Sequence, residues 1–218
     1  MSVSRRQFIK YAISAPIGLA FATSGLAASR RLQGKILELS GDVFINKNLA
    51  TPSSIIRSGD QVTTAFNGRI VFSMAQDVYL LQAGSSLELV SQDGAIISGL
   101  RLLTGGLLSV FGTRGDKRNS SQTKIYTRTA TIGIRGTGVY LNSQPDKLYF
   151  CTCYGKTELD LGHNHLEQIE AKHHNAVDVT GTTANSMKML ATEVKNHTDD
   201  ELRLLEKYAG RIPLFDVV

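Results

Sequence analysis

After Arg31, apolar and polar residues alternate with a period of two over short runs. Ile36, Leu37 and Leu39 precede Ser40-Gly41-Asp42, and Val43, Phe44 and Ile45 lead into Asn46-Lys47-Asn48. A second Ser58-Gly59-Asp60 comes before the run 61–64, and 69–74 and 78–81 follow. Further alternating runs cover 86–90, 95–98, 106–111, 124–129, 131–141 and 147–154. Gly, Asn, Asp or Ser separates most of them, which predicts an all-β unit of short strands. Two Ser-Gly-Asp triplets do not establish a repeat, so a β-solenoid and a two-sheet sandwich both remain open. Along 131–141, strict alternation puts Ile132, Ile134 and Tyr140 on one face and Arg135, Thr137 and Val139 on the other.

The pattern changes near residue 182. Met187, Leu190, Ala191 and Val194 fall at i, i+3, i+4 and i+7, a helical stripe. Thr198-Asp199-Asp200-Glu201 then reads as a capping box, with Leu202, Leu205 and Ala209 on one face. Gly210 is a stop signal and Pro213 a later breaker. The chain is therefore expected to hold a β domain over 34–180 and one or two helices within 182–218. The acidic trio is read as capping.

Composition narrows the class. The 218 residues are 42% hydrophobic and 20% charged, with 20 Gly, 4 Pro, 2 Cys and no Trp. That excludes a disordered tail, a collagen-like fibre, a disulfide-dense miniprotein and a polytopic membrane protein. The net charge of +5 is concentrated at the start, where Arg5, Arg6 and Lys10 stand without an acid in the first 27 residues. Removing them leaves 21 basic against 19 acidic residues, which gives little support for nucleic-acid binding.

Ser4-Arg5-Arg6-Gln7-Phe8-Ile9-Lys10 matches each position of the twin-arginine export motif. The uncharged stretch 11–27 is broken by Ser, Pro, Gly and Thr, so it is weakly hydrophobic. Gly25-Leu26-Ala27 and Ala27-Ala28-Ser29 both offer small-x-small cleavage patterns. Residues 1–28 are thus expected to be a signal peptide, with the twin-arginine translocase as partner and the periplasm as destination. An uncleaved segment acting as a membrane anchor is the alternative.

Residues 34–45 (Gly-Lys-Ile-Leu-Glu-Leu-Ser-Gly-Asp-Val-Phe-Ile) and 57–64 (Arg-Ser-Gly-Asp-Gln-Val-Thr-Thr) resemble the opening of a FecR domain. The segment 129–141, centred on Arg135-Gly136-Thr137, is similar to that family's Arg-Gly-Thr signature, and 154–159 to its following Gly-centred turn. The likeness covers about 34–162. It implies an all-β periplasmic module without catalytic machinery, which binds, scaffolds or relays signals toward an envelope protein or small ligand. Sigma regulators of that family carry a cytoplasmic domain and a membrane span, whereas the leading segment here reads as an export signal. Arg135 is expected to satisfy carbonyls or a carboxylate, and Gly133, Gly136 and Gly138 to mark a bend or close approach.

Cys151 and Cys153, in 148–154 (Leu-Tyr-Phe-Cys-Thr-Cys-Tyr), project from one face of a strand, and His163, His165, His173 and His174 follow. Three readings stay open. A disulfide would join Cα atoms about 6.6 Å apart, near the limit for the bond. The pair could be plain buried thiols. Thiolate with imidazole is also a ligand set for Zn or Cu, here Cys151, Cys153, His173 and His174. A meander of 148–154, 157–161 and 166–173 would put His173 two strands from Cys153, about 9.6 Å away. Only one of the two adjacent His can then face the thiols. His197, just before the helix cap, is expected at the surface. No HExxH, GxSxG, P-loop or kinase motif is present, so no enzyme activity is expected. The leading expectation is an exported, non-enzymatic FecR-like module; the alternative is a periplasmic Zn- or Cu-binding or redox protein.

Overall fold

Alternation becomes strand along most of the chain, in a computed structural model that describes residues 32–91, 97–112, 123–162, 165–181 and 186–217. Arg5, Arg6 and the whole expected signal, and His163, lie outside the described residues. The strands are β1 (Gln33–Ser40), β2 (Val43–Ile45), β3 (Asn48–Leu49), β4 (Ile55–Arg57), β5 (Gln61–Thr64), β6 (Arg69–Met74), β7 (Asp77–Leu81) and β8 (Ser86–Ser91). They continue as β9 (Ile97–Val110), β10 (Thr123–Tyr126), β11 (Thr131–Ser143), β12 (Lys147–Asp160), β13 (Leu166–Ala171), β14 (Asn175–Thr180) and β15 (Lys188–Ala191). One α-helix, α1 (Asp199–Tyr208), and a 3-10 turn, Leu214–Asp216, follow. Among the described residues the protein is thus mostly β with one short helix.

The three long strands organise everything else. β9, β11 and β12 each contain a glycine of positive φ: Gly105 at +85°, Gly136 at +65° and Gly155 at +87°. On one side of these bends, β9 pairs with β8 and β10, β11 with β10, and β12 with β13. On the other side, β9 pairs with β7, β11 with β9, and β12 with β14. The hydrogen bonding forms one continuous 15-stranded sheet. Its first tier adds β2, β3 and β5 beyond β8, and its second adds β6, β1 and β4 beyond β7. Gly105 has no alternative at its bend, because a Cβ there would sit 2.6 Å from the Cα of Ser85.

Between the tiers lies a single apolar cluster. Val62, Leu87, Leu89 and Leu100 come from the first tier, and Phe72, Tyr79, Leu141 and Phe150 from the second, all fully buried. The opposite face of the second tier carries Val71, Val78, Leu80, Leu108, Tyr140, Tyr149, Cys151 and Cys153. Leu202 and Leu205 of α1 close over it with no exposed surface. The helix begins with the expected capping box, in which Thr198 and Glu201 exchange side-chain bonds with each other's backbone N–H. Gly210, at φ +71°, follows the C-cap. A buried polar anchor secures the helix. The Tyr154 hydroxyl donates to Glu206, whose other oxygen accepts from Arg211 Nε at 2.6 Å.

Two sequence expectations change here. The stripe Met187, Leu190, Ala191 and Val194 is not helical: 188–191 forms β15 and pairs with Val177–Thr180 of β14. Leu190 is 65% exposed, while Met187 and Met189 lean on the inner core, a period of two. Four residues beside an open sheet edge gain ladder bonds that an isolated helical turn lacks. Tyr140 also leaves its expected face. The β11–β12 register slips between Arg135 and Gly138, so Val139 and Leu141 join Ile132 and Ile134 inside, and Tyr140 points outward. One extra residue in a bulge reverses every later side chain. The close approach at Gly138 is made by the Tyr154 ring, 2.5 Å from where a Cβ would stand. Arg135 is exposed and pairs with Glu158 at 2.5 Å across the strands. Gly136 forms the bend, and Thr137 continues the strand.

Candidate metal centre

The site grows from the outer face of β12. Alternation sends Leu148 and Phe150 to the inner core and Tyr149, Cys151 and Cys153 to the helix side. Both cysteines are free thiols with no exposed surface. Gly155 is a bend within β12, not the end of a strand, so the expected meander does not form. β13 pairs with the second half of β12 and β14 with the first. The turn between them therefore returns directly beside Cys153. There His174, at φ +53°, donates its backbone N–H to the Cys153 carbonyl at 2.8 Å. Its Nδ1 lies 3.5 Å from Cys151 Sγ.

The fourth member comes from the segment between β15 and α1. This segment crosses the outer face of the second tier and is pinned by tyrosines. The Tyr149 hydroxyl donates to the Glu193 carbonyl at 3.3 Å and accepts the Lys195 N–H at 3.0 Å. Tyr140 donates to Gln82, and Gln82 to the Asn196 carbonyl, both at 2.8 Å. Asn196, at φ +66°, then turns His197 inward. The His197 ring stacks on Tyr140 at 4.6 Å, and its Nε2 lies 3.4 Å from Cys153 Sγ. His197 is only 7% exposed, which corrects the expectation that it sits at the surface.

The four donor atoms of Cys151, Cys153, His174 and His197 all lie within 4.8 Å of one another. In a tetrahedral Zn site with Zn–S near 2.3 Å and Zn–N near 2.05 Å, the sulfur–nitrogen edge is about 3.5 Å. Both sulfur–nitrogen distances match it. The far nitrogen of each ring is also held. His197 Nδ1 donates to the Lys195 carbonyl at 2.9 Å, which leaves Nε2 as the lone-pair nitrogen facing Cys153. His174 Nε2 lies 2.8 Å from Asp199, so in the neutral ring Nδ1 faces Cys151 as an acceptor.

Charge in the cluster is divided unevenly. A hydrogen bond from the Cys153 thiol pulls Cys151 down to about 4 against the upward push of burial, with His174 and His197 assisting. Burial, then the neighbouring Cys151, pushes Cys153 up. The hydrogen bond with Cys151 raises His174 against burial, and Asp199 adds to it. Burial alone would raise Asp199, but bonds from His174 and His173 outweigh it and hold the carboxyl low.

Of the residues expected as ligands, Cys151, Cys153 and His174 meet and His173 does not. His173 Nε2 sits 3.0 Å from both oxygens of Asp199, and its ring packs 4.6 Å from Phe215. His165 is exposed and pairs with Glu167 at 3.0 Å. Asp199 was legible only as a capping residue, yet it bonds both adjacent His. His197 carried one sequence signal, its fixed place before the cap that turns the chain into α1.

No protein-family profile matches the chain, and no curated protein matches it. Two crystal structures of a "putative anti-sigma factor" from Parabacteroides distasonis are similar to it. One is 12% identical with a TM-score of 0.49, covering 61% of this chain and 59% of that one. The other is 11% identical with a TM-score of 0.49, covering 67% and 64%. The chain spans about three fifths of the length of the solved chains it matches. No helix among the described residues is long and apolar enough to cross a membrane.

Proposed function

We propose that this protein is an exported, non-enzymatic FecR-like β module of the sandwich type that binds one transition-metal ion through Cys151, Cys153, His174 and His197. Zn2+ is the first choice and Cu+ the second, since both accept thiolate with imidazole. The observation that carries the reading is the convergence of four donors from three chain segments, with a hydrogen-bond partner on the far nitrogen of each ring. A site with four protein donors and buried thiols leaves no coordination position for a substrate, which favours binding and stabilisation over catalysis.

The FecR-like stretch 34–162 contains both thiols, while both imidazoles lie beyond it. The metal would therefore fasten the C-terminal segment 182–218 onto the β domain at 34–180. The twin-arginine pattern at Arg5 and Arg6 is compatible with this reading, because that route carries cargo already folded, often with a cofactor in place. Elemental analysis of untagged protein is expected to give one metal per chain, falling below about 0.1 in Cys153→Ser and His197→Ala. Metal-free protein with Cys151 joined to Cys153 would replace the reading with thiol redox chemistry, toward which the unequal charging of the two sulfurs points.

A further inference from the structure

We infer that His173 and Asp199 form a surface docking point through which a divalent cation reaches the buried site; this rests on the metal-binding reading above. Of the four inner donors, Cys151, Cys153 and His197 are buried, and His174 alone is partly open. Tyr140 covers one side of the His197 ring, and β12 backs both thiols. The His174 ring is thus the part of the site nearest to solvent, and its outer nitrogen faces Asp199.

That outer edge has its own donor set. Nitrogens of His173 and His174 and an oxygen of Asp199 lie within 4.8 Å of one another. The His173 side chain is 49% exposed and that of Asp199 32%, against 11% for His174. Imidazole and carboxylate at a wet rim suit a hydrated ion, whereas the thiols inside suit a dehydrated one. Phe215 backs the His173 ring at 4.6 Å and fixes it beside the carboxylate. Capture at His173 and Asp199 concentrates the cation beside His174. The ion then sheds its waters, bonds to both sulfurs and both inner nitrogens, and releases the thiol protons to solvent. No electron transfer is involved. His174 stands between the rim and the buried site, with Nε2 toward Asp199 and Nδ1 toward Cys151.

The test uses reduced, metal-free full-length protein mixed rapidly with Co2+ or Zn2+ alone, followed by the thiolate-to-cobalt absorption or by proton release. His173→Ala is expected to slow loading by at least about tenfold, with stoichiometry and equilibrium affinity unchanged. His165→Ala, which removes an equally exposed imidazole elsewhere, is expected to load like the wild type. Asp199→Asn is expected to slow loading and also to weaken affinity about 10–100-fold, because Asp199 orients His174. Wild-type loading rates in His173→Ala would overturn the docking point and leave the metal site standing. An affinity loss in His173→Ala, with its loading rate unchanged, would make His173 a ligand and overturn the inference equally. Wild-type protein that takes up no metal would remove both readings together.

Discussion

The two faces of the second tier are built from the same strands and opposite chemistry. The inner face, against the first tier, is a continuous apolar cluster of aliphatic and aromatic side chains. The outer face, under α1, mixes those residue types with Tyr140, Tyr149, Cys151, Cys153 and Tyr154, and with the polar groups they hold. On β12 the contrast falls between neighbours: Phe150 enters the inner cluster and Cys151 the outer one. Removal from water holds the inner face together without direction. The outer face depends on donors aimed at particular acceptors, so its residues are less interchangeable.

Substitutions separate the two. Phe150→Ala is expected to cost about 3–5 kcal/mol, read by chemical denaturation. Cys153→Ser next door is expected to lose the metal-dependent part of stability, about 2.7 kcal/mol when free metal is a hundredfold above Kd. Equal stability of the two variants in metal-free buffer would erase the contrast. Glu206→Gln, which disturbs the Tyr154–Glu206–Arg211 anchor, is expected to cost about 1–3 kcal/mol and to increase amide exchange in α1 first. Thr198→Ala removes the cap and is expected to cost about 1 kcal/mol.

The smallest effect belongs to Asp178 on β14, between β12 and the edge strand β15. Burial pushes its carboxyl up, but Lys147 and Lys195, each at 3.2 Å, outweigh that and hold it below the ordinary range. A lowered carboxyl contributes stability that is present above its unfolded value, about 3.9, and lost as pH falls through the folded value. Asp178→Asn is therefore expected to cost about 0.5–1 kcal/mol at neutral pH, with the deficit shrinking in acid below that point.

Much of this was legible in the chain. The alternating runs marked most strands, and Thr198 through Glu201 marked the start of α1, because both signals are local. Cys151 and Cys153 stood out because two thiols two residues apart share a strand face. What escaped depended on position in space. One bulge at Gly136 moved Tyr140 to the other face. The bend at Gly155 resembled the end of a strand, which put the His173–His174 turn too far from the thiols. His197 reaches Cys153 because 188–191 pairs with β14 and Tyr149 then holds the segment after it, and both the Tyr149 and the Cys153 contacts join residues more than forty positions apart in the sequence.

Gly105, Gly136 and Gly155 let the same three strands serve both tiers. No single cut in the polypeptide releases one tier whole, since β9, β11 and β12 each give one half to either tier. Heating is accordingly expected to take the sheets apart in one concerted transition, with matching calorimetric and van't Hoff enthalpies, and neither tier to survive as a smaller folding unit.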